Sequence, residues 1–376
     1  MQITFTDYNY LMELLSDIAV VVEDSTLLDE DKNVVFKVDT EQVQIMGSNR
    51  TVTHRIVLDK EKYSTDVKET TYIQTRCKDL INFLSTYKSL ALTKVKDIKF
   101  ELKGNKLCIT VTEIDTEGKE RHSNYNLESP IVKESLKSIL NTEYNTELTG
   151  VDTKELKWFT DNFLAGINAS ADLYGSIIFT EDKCIVLNPS YTLIGKNNIK
   201  ELNGIRVSKK CLTFISKVLL KNDTMELTKT DRYLVLKSQT SETFLIYSNK
   251  LPPYSIYLNM INTEHSMEVK KDYVKEVLKR VSLLKEDMTV DIDCNDKQIL
   301  FYNTKFRQAV NMTSYKNIES YDNIRFRIMP DVFSKILLDT DDDTINVFYT
   351  QKDENDIIFL SDKEQSWYSI IRVKLL

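Results

Sequence analysis

The sequence predicts an α+β fold of three tandem domains, each holding two units in which a short amphipathic helix precedes antiparallel strands. Three observations carry this. A helical apolar stripe recurs six times, period-two runs flank a polar turn after each stripe, and two proline-containing breaks cut the chain into thirds.

The stripes place apolar residues at i, i+3, i+4 and i+7. They are Leu11, Leu14, Leu15, Ile18; Cys77, Leu80, Ile81, Leu84; a looser Leu156, Phe159, Phe163; Cys211, Phe214, Ile215, Val218; Val274, Val277, Leu278, Val281; and Met329, Val332, Phe333, Ile336. Their starts lie 66, 79, 55, 63 and 55 residues apart in a chain of 376, close to the spacing of about 63 that six units filling the chain would give. A helix this short is marginal alone and must lay its stripe on a sheet.

The hairpins follow. In the second unit Ile98, Phe100 and Leu102 alternate, Gly104-Asn105 turns, and Leu107, Ile109 and Val111 alternate back, the pattern of two half-buried antiparallel strands. Comparable turns are Asp39 to Gln42, Glu181 to Lys183, Thr228 to Asp231, Asn295 to Lys297 and Lys352 to Asn355. Proline cannot donate to a ladder, so Glu128-Ser129-Pro130 and Lys250-Leu251-Pro252-Pro253-Tyr254 read as strand ends followed by linkers. The expected domains are 1–130, 131–254 and 255–376.

Composition excludes several classes. The chain is 41% hydrophobic and 28% charged, enough apolar surface to fold. With 8 glycines and no GxGxxG or GxxxxGK[ST] run, a dinucleotide or P-loop phosphate site is not expected. The 5 cysteines stand far apart without a CxxC pair, so neither a zinc site nor a disulfide framework is expected, and a reducing cytoplasm fits best. The strongest apolar run, Ile18 to Val22, is far too short for a membrane span, and the N-terminus lacks a basic start. No cofactor and no metal are expected.

Net charge is −7, which on its face argues against binding a phosphate backbone. Its distribution reverses that reading. Lys271, Lys275 and Lys279 fall at i, i+4 and i+8 on the fifth helix; Lys210, Lys217 and Lys221 accompany the fourth; Arg76, Lys78 and Lys88 the second; Lys154 and Lys157 the third. Acidic residues gather in turns such as Asp29 to Asp31 and Asp339 to Asp343, and only the first helix is acidic, through Asp7, Glu13 and Asp17. A solvated face would explain any one basic helix. Four of six equivalent helices sharing the bias suggests one positive surface on an acidic protein.

This pattern resembles the DNA polymerase sliding clamps, specifically the three-domain bacterial β-clamp type, found also in phages. The local match is strongest from about Tyr247 onward. There Lys250-Leu251-Pro252-Pro253-Tyr254 resembles the family's Phe-Pro-Asp-Tyr junction, Met267-Glu268-Val269 and a helix to Leu284 follow, and Trp367 to Leu375 resembles the closing strand with its basic-Leu terminus. The resemblance implies a homodimer closed head to tail into a ring, with sheets outside and helices lining the hole. It also implies sequence-independent attraction of duplex DNA by Arg76, Lys78, Lys154, Lys157, Lys210, Lys217, Lys221, Lys271, Lys275 and Lys279. DNA polymerase and a clamp loader would dock by short peptides in an apolar groove between the second and third domains. Leu173, Tyr191, Leu193, Pro252, Ile256, Tyr257, Ile370, Ile371 and Val373 would line that groove. Where the family has an Asp-Gly-His-Arg-Leu turn this chain has Pro189-Ser190-Tyr191-Thr192-Leu193, so the polar rim must differ.

No enzymatic motif competes. His54 and His122 in the first expected domain and His265 in the third stand far apart near turns or strand ends and read as solvent-facing. The acidic run from Asp339 places Thr344 and Thr350 where a calcium loop needs Gly and Glu, which rejects an EF-hand. A nucleic-acid enzyme would need clustered carboxylates for metals, and here they are dispersed. The alternative reading is a ring- or tube-forming structural protein, which would need neither basic helices nor a C-terminal groove.

Overall fold

A computed structural model describes residues 1–22, 29–88, 93–142, 147–168, 174–221, 224–284, 286–318, 324–337, 342–352 and 355–373. The chain forms two compact units, one of residues 1–154 and 213–247, the other of residues 155–212 and 248–376. All six expected helices form: α1 (Tyr8–Val21), α2 (Cys77–Ser85), α4 (Thr153–Phe163), α5 (Lys209–Lys217), α7 (Lys271–Ser282) and α8 (Pro330–Ile336). Two further helices, α3 (Glu134–Leu140) and α6 (Ser255–Leu258), lie in the segments after the proline breaks.

In the first unit α1 starts where the Asp7 side chain accepts a hydrogen bond from the Tyr10 amide at 3.0 Å, a standard N-cap. It packs against α2 and buries Leu11, Leu14, Leu15 and Ile18 with Leu80 and Leu84. Beneath them the rings of Phe5, Phe36 and Phe100 meet edge to face or tilted, with centroids 5.2 to 6.4 Å apart. Two antiparallel sheets supply this core. One runs in the order 63–65, 2–5, 93–103, 106–115, 120–128, and its central hairpin has the expected register, Leu102 opposite Leu107 and Phe100 opposite Ile109. The other begins with 71–76, 33–38, 43–48 and 52–57 and then continues into a remote strand, because Val52–Val57 pairs with Ser241–Ser248. α1 crosses so close to this sheet that a Cβ on Gly47 would sit 2.8 Å from Ile18 Cγ2.

The second unit repeats the device. Strands 205–208, 176–179, 183–187 and 192–196 run into 367–373, 355–361, 344–352 and 266–270, joined where Thr192–Lys196 pairs with Trp367–Val373. A second sheet is made of 324–328, 288–293, 298–302 and 307–316. α7 packs on α8, burying Val274, Val277, Leu278 and Val281 with Phe333 and Ile336. Gly195 carries no Cβ because one there would lie 2.5 Å from the Trp158 ring of α4.

Three expectations are corrected. Met329 does not extend the α8 stripe; it is the N-cap, 57% exposed, with Pro330 taking the first helical position. His54 is not solvent-facing. It is 1% exposed, its Nδ1 lies 2.8 Å from Thr243 Oγ1 and its ring packs on Phe214, because strand alternation turns it to the Phe214 side of the sheet while neighbouring Arg55 takes the opposite face, toward α3. Burial, helped by the charge of Lys221, lowers its pKa to about 3. His265 is half-buried, and His122 is exposed.

Lys271 is the third. It is 5% exposed, at the head of the α7 buried stripe. Each i+4 step turns about 40° around a helix, so the row 271, 275, 279 spirals from the core to the surface. Lys275 is accordingly half-buried and Lys279 exposed.

Candidate functional site

A cavity of about 450 Å³ opens within the second unit, where the end of the strand Thr192–Lys196 meets Trp367–Val373. One wall is the turn before that strand. Asn188 ties it down, donating from Nδ2 to the Gly166 carbonyl at 2.9 Å and accepting the Ser190 amide on Oδ1 at 3.1 Å. The backbone of Asn188 and Tyr191 closes the turn with two hydrogen bonds. Tyr191 is thereby held against the wall, buried, and burial pushes its phenol pKa up. Tyr174 stands beside it.

α6 supplies Tyr257, whose amide bonds back to the Tyr254 carbonyl at 3.0 Å. This linker packs its Leu251, Tyr254, Tyr257 and Leu258 on a sheet core of Ile178, Ile185, Leu187, Ile194, Ile357 and Ile370. The opposite wall is the end of strand 324–328 and the first turn of α8: Arg327, Ile328, Met329 and Val332. Ile370 and Ile371 complete the lining with Pro189, Ser190 and Thr192. The described lining is three tyrosines, five aliphatic or thioether side chains, one proline, three neutral polar residues (Asn188, Ser190 and Thr192) and one charge, Arg327.

Of the residues expected here, Tyr191, Tyr257, Ile370 and Ile371 line the cavity. Leu193 does not; it is fully buried, next to Gly166. Half-buried Pro252 and exposed Ile256 do not line it either. Leu173 and the side chain of Val373 lie outside the described residues. Met329 and Val332 escape sequence reasoning because they fit the helical stripe and so read as core. Arg327 escapes because it is merely the outward position of an alternating strand.

Among the basic residues, Arg76, Lys78, Lys154, Lys157, Lys210, Lys217, Lys221 and Lys279 are exposed. Lys157 bonds Asp161 at 2.8 Å one helical turn on. Lys221 bonds Asp17 of α1 at 2.5 Å, so the acidic first helix is partly neutralised by a cation expected to face DNA.

A second cavity of about 420 Å³ lies in the first unit beside the pairing of Val52–Val57 with Ser241–Ser248. Its chemistry is internal. Arg55 Nε donates to Glu242 at 2.6 Å, and its other nitrogens reach Glu242 and the carbonyls of Ile139, Leu140 and Thr142 at the end of α3. Lys37 donates to Asn141 Oδ1 at 2.8 Å.

Two surface features complete the inventory. Strand Glu120–Glu128 is the edge of its sheet, and its Tyr125 stacks on Phe83 at 4.3 Å with 9° between the rings. In the second unit Leu283, just after α7, is 78% exposed. Among the described residues no helix is long and apolar enough to cross a membrane, and no group of three or more His, Cys, Asp or Glu side chains is placed to hold a metal ion.

No protein-family model and no curated protein matches the sequence. Solved structures do match. The DNA polymerase sliding clamp of Bacillus subtilis aligns with 100% of this chain and 99% of its own at 13% identity and a TM-score of 0.79. The DNA polymerase III β subunit of Pseudomonas aeruginosa aligns with all of both chains at 13% identity and a TM-score of 0.74. The Helicobacter pylori β-clamp, solved bound to a DNA ligase peptide, also aligns over both full chains at 12% identity and a TM-score of 0.74. From end to end, this chain has the fold of the bacterial DNA polymerase β-clamps.

Proposed function

We propose that this chain is a sliding clamp: a non-catalytic processivity factor that encircles duplex DNA and tethers a polymerase. The observation that carries the reading is the β-clamp fold over the full length of the chain. Three tandem domains, 1–130, 131–254 and 255–376, would associate head to tail with those of a second copy. The edge strand Glu120–Glu128 and the exposed Leu283 offer the unpaired backbone and apolar surface that such an interface needs.

The exposed cations Arg76, Lys78, Lys154, Lys157, Lys210, Lys217 and Lys279 would supply the attraction to phosphate. Lysine suits sliding because a flexible point charge attracts phosphate without fixing a bidentate pose. Polymerase and clamp loader would dock short peptides in the groove of Tyr191, Tyr257, Ile370 and Ile371, a reading supported by the Helicobacter pylori β-clamp having been solved bound to a DNA ligase peptide. The protein would act in the cytoplasm, with the replication machinery.

Topological retention is the test. Loaded on nicked circular DNA, the protein should stay through a high-salt wash and be released when a restriction enzyme linearises the circle. Equal loss from circular and linear DNA, or a strictly monomeric species at micromolar concentration, would remove the mechanism and favour a structural ring or tube.

A further inference from the structure

We infer that Arg327 makes the groove selective for peptides carrying an acidic side chain beside their apolar anchors. The inference rests on the peptide-docking reading of the groove and goes beyond it by naming the chemistry of the partner.

Two arginines leave the same strand, Ile324–Ile328, on its outward face. Arg325 is spent: its Nε and Nη2 both donate to Asp291 Oδ2, at 2.9 and 2.6 Å. Arg327, two residues on, is exposed, lines the cavity and has no ion pair among the described residues. It is also the only charge among the described lining residues. Tyr191, Tyr257, Ile328, Met329 and Ile370 around it offer apolar and aromatic surface, which sets where anchors sit but says nothing of charge.

A guanidinium in that setting meets a carboxylate through a planar fork of donors. The tyrosine and aliphatic part of the lining excludes some of the water that would otherwise screen the pair. The occupant is therefore a short peptide of a partner protein that carries an Asp or Glu beside apolar side chains. A Lys at that position would face Arg327 as a like charge.

The probe is a panel of fluorescein-labelled hexapeptides holding Leu and Phe anchors, with a scanned flanking position occupied by Asp, Asn or Lys, titrated into the full-length protein by fluorescence polarisation. Wild type should bind the best Asp peptide about fivefold tighter than its Asn twin, as expected for a partly exposed charge pair. That ratio should shrink as salt rises. Arg327→Gln should bring the ratio to one while leaving the Asn peptide's affinity in place, and Arg327→Glu should favour the Lys peptide. Binding of all three peptides with equal affinity, weakened by Met329→Glu but not by Arg327→Gln, would overturn the inference and keep the groove. No binding by any peptide would overturn the groove reading and the inference with it.

Discussion

Each compact unit closes a sheet with strands far apart in sequence: Val52–Val57 on Ser241–Ser248 in the first, Thr192–Lys196 on Trp367–Val373 in the second. A linker helix lies beside each seam, α3 or α6, and a cavity of about 420 or 450 Å³ opens there. In the first unit the cavity satisfies itself. Arg55 spends its donors on Glu242 and on the carbonyls that end α3, and Lys37 reaches Asn141. In the second, Asn188 satisfies the turn, tyrosine and aliphatic side chains share the walls with Ser190 and Thr192, and the one cation among the described lining residues, Arg327, is left over. Cavity size therefore does not mark a binding site; unspent chemistry against apolar walls does.

The sharpest way to break this contrast is to remove Arg55. If it is the lock between α3 and the seam, Arg55→Ala takes a guanidinium away from Glu242 and from three carbonyls and should cost about 3 kcal/mol, the usual penalty for halving a mostly buried ion pair. Urea denaturation would show it, and amide exchange should rise first in Glu134–Leu140. A loss below about 1 kcal/mol would mean that the polar groups are not holding one another and remain available to a ligand.

Acid should separate the two seams next. His54 is buried neutral at the first, with its pKa lowered to about 3 from an ordinary value of 6.5, facing Thr243, Phe214 and the charge of Lys221. Because its folded pKa is depressed, the unfolded chain takes up a proton that the folded chain refuses. Stability is complete above pH 6.5 and falls as pH drops toward 3. Between pH 7 and pH 5 the loss should be about 2 kcal/mol. The second seam contains no histidine, so amide exchange at pH 5 should accelerate at Val52–Val57 before Thr192–Lys196. Identical acceleration, or an unchanged response in His54→Gln, would assign the acid sensitivity elsewhere.

Much of this architecture is readable in advance, for a local reason. Six helices and the register of hairpins such as Phe100 opposite Ile109 follow from periodicity within about ten residues. The seams do not: the hydrogen bond between His54 and Thr243 joins positions 189 residues apart, and neither strand names its partner. The same limit hides half the groove. Tyr191, Tyr257, Ile370 and Ile371 come from the family resemblance, while Met329 passes for core because its spacing fits the stripe. Lys271 fails differently, since the i, i+4, i+8 rule that groups it with Lys279 ignores the drift of an α-helix, which carries one end of such a row into the core.

The smallest effect discriminates most finely between the two cavities. Gln44 lines the first one, is 8% exposed, and its Oε1 has no hydrogen-bond partner among the described residues. In a cavity that is otherwise self-satisfied, an unpaired amide oxygen is a cost, and replacing it with a thioether of similar length removes that cost with little change of shape. Gln44→Met should therefore be neutral or stabilising by up to about 1 kcal/mol in urea denaturation. A destabilisation of the same size would show that ordered water or a solute pairs with Oε1. The first cavity would then hold unspent chemistry too, and the distinction drawn from Arg55 and Arg327 would have to rest on the apolar walls alone.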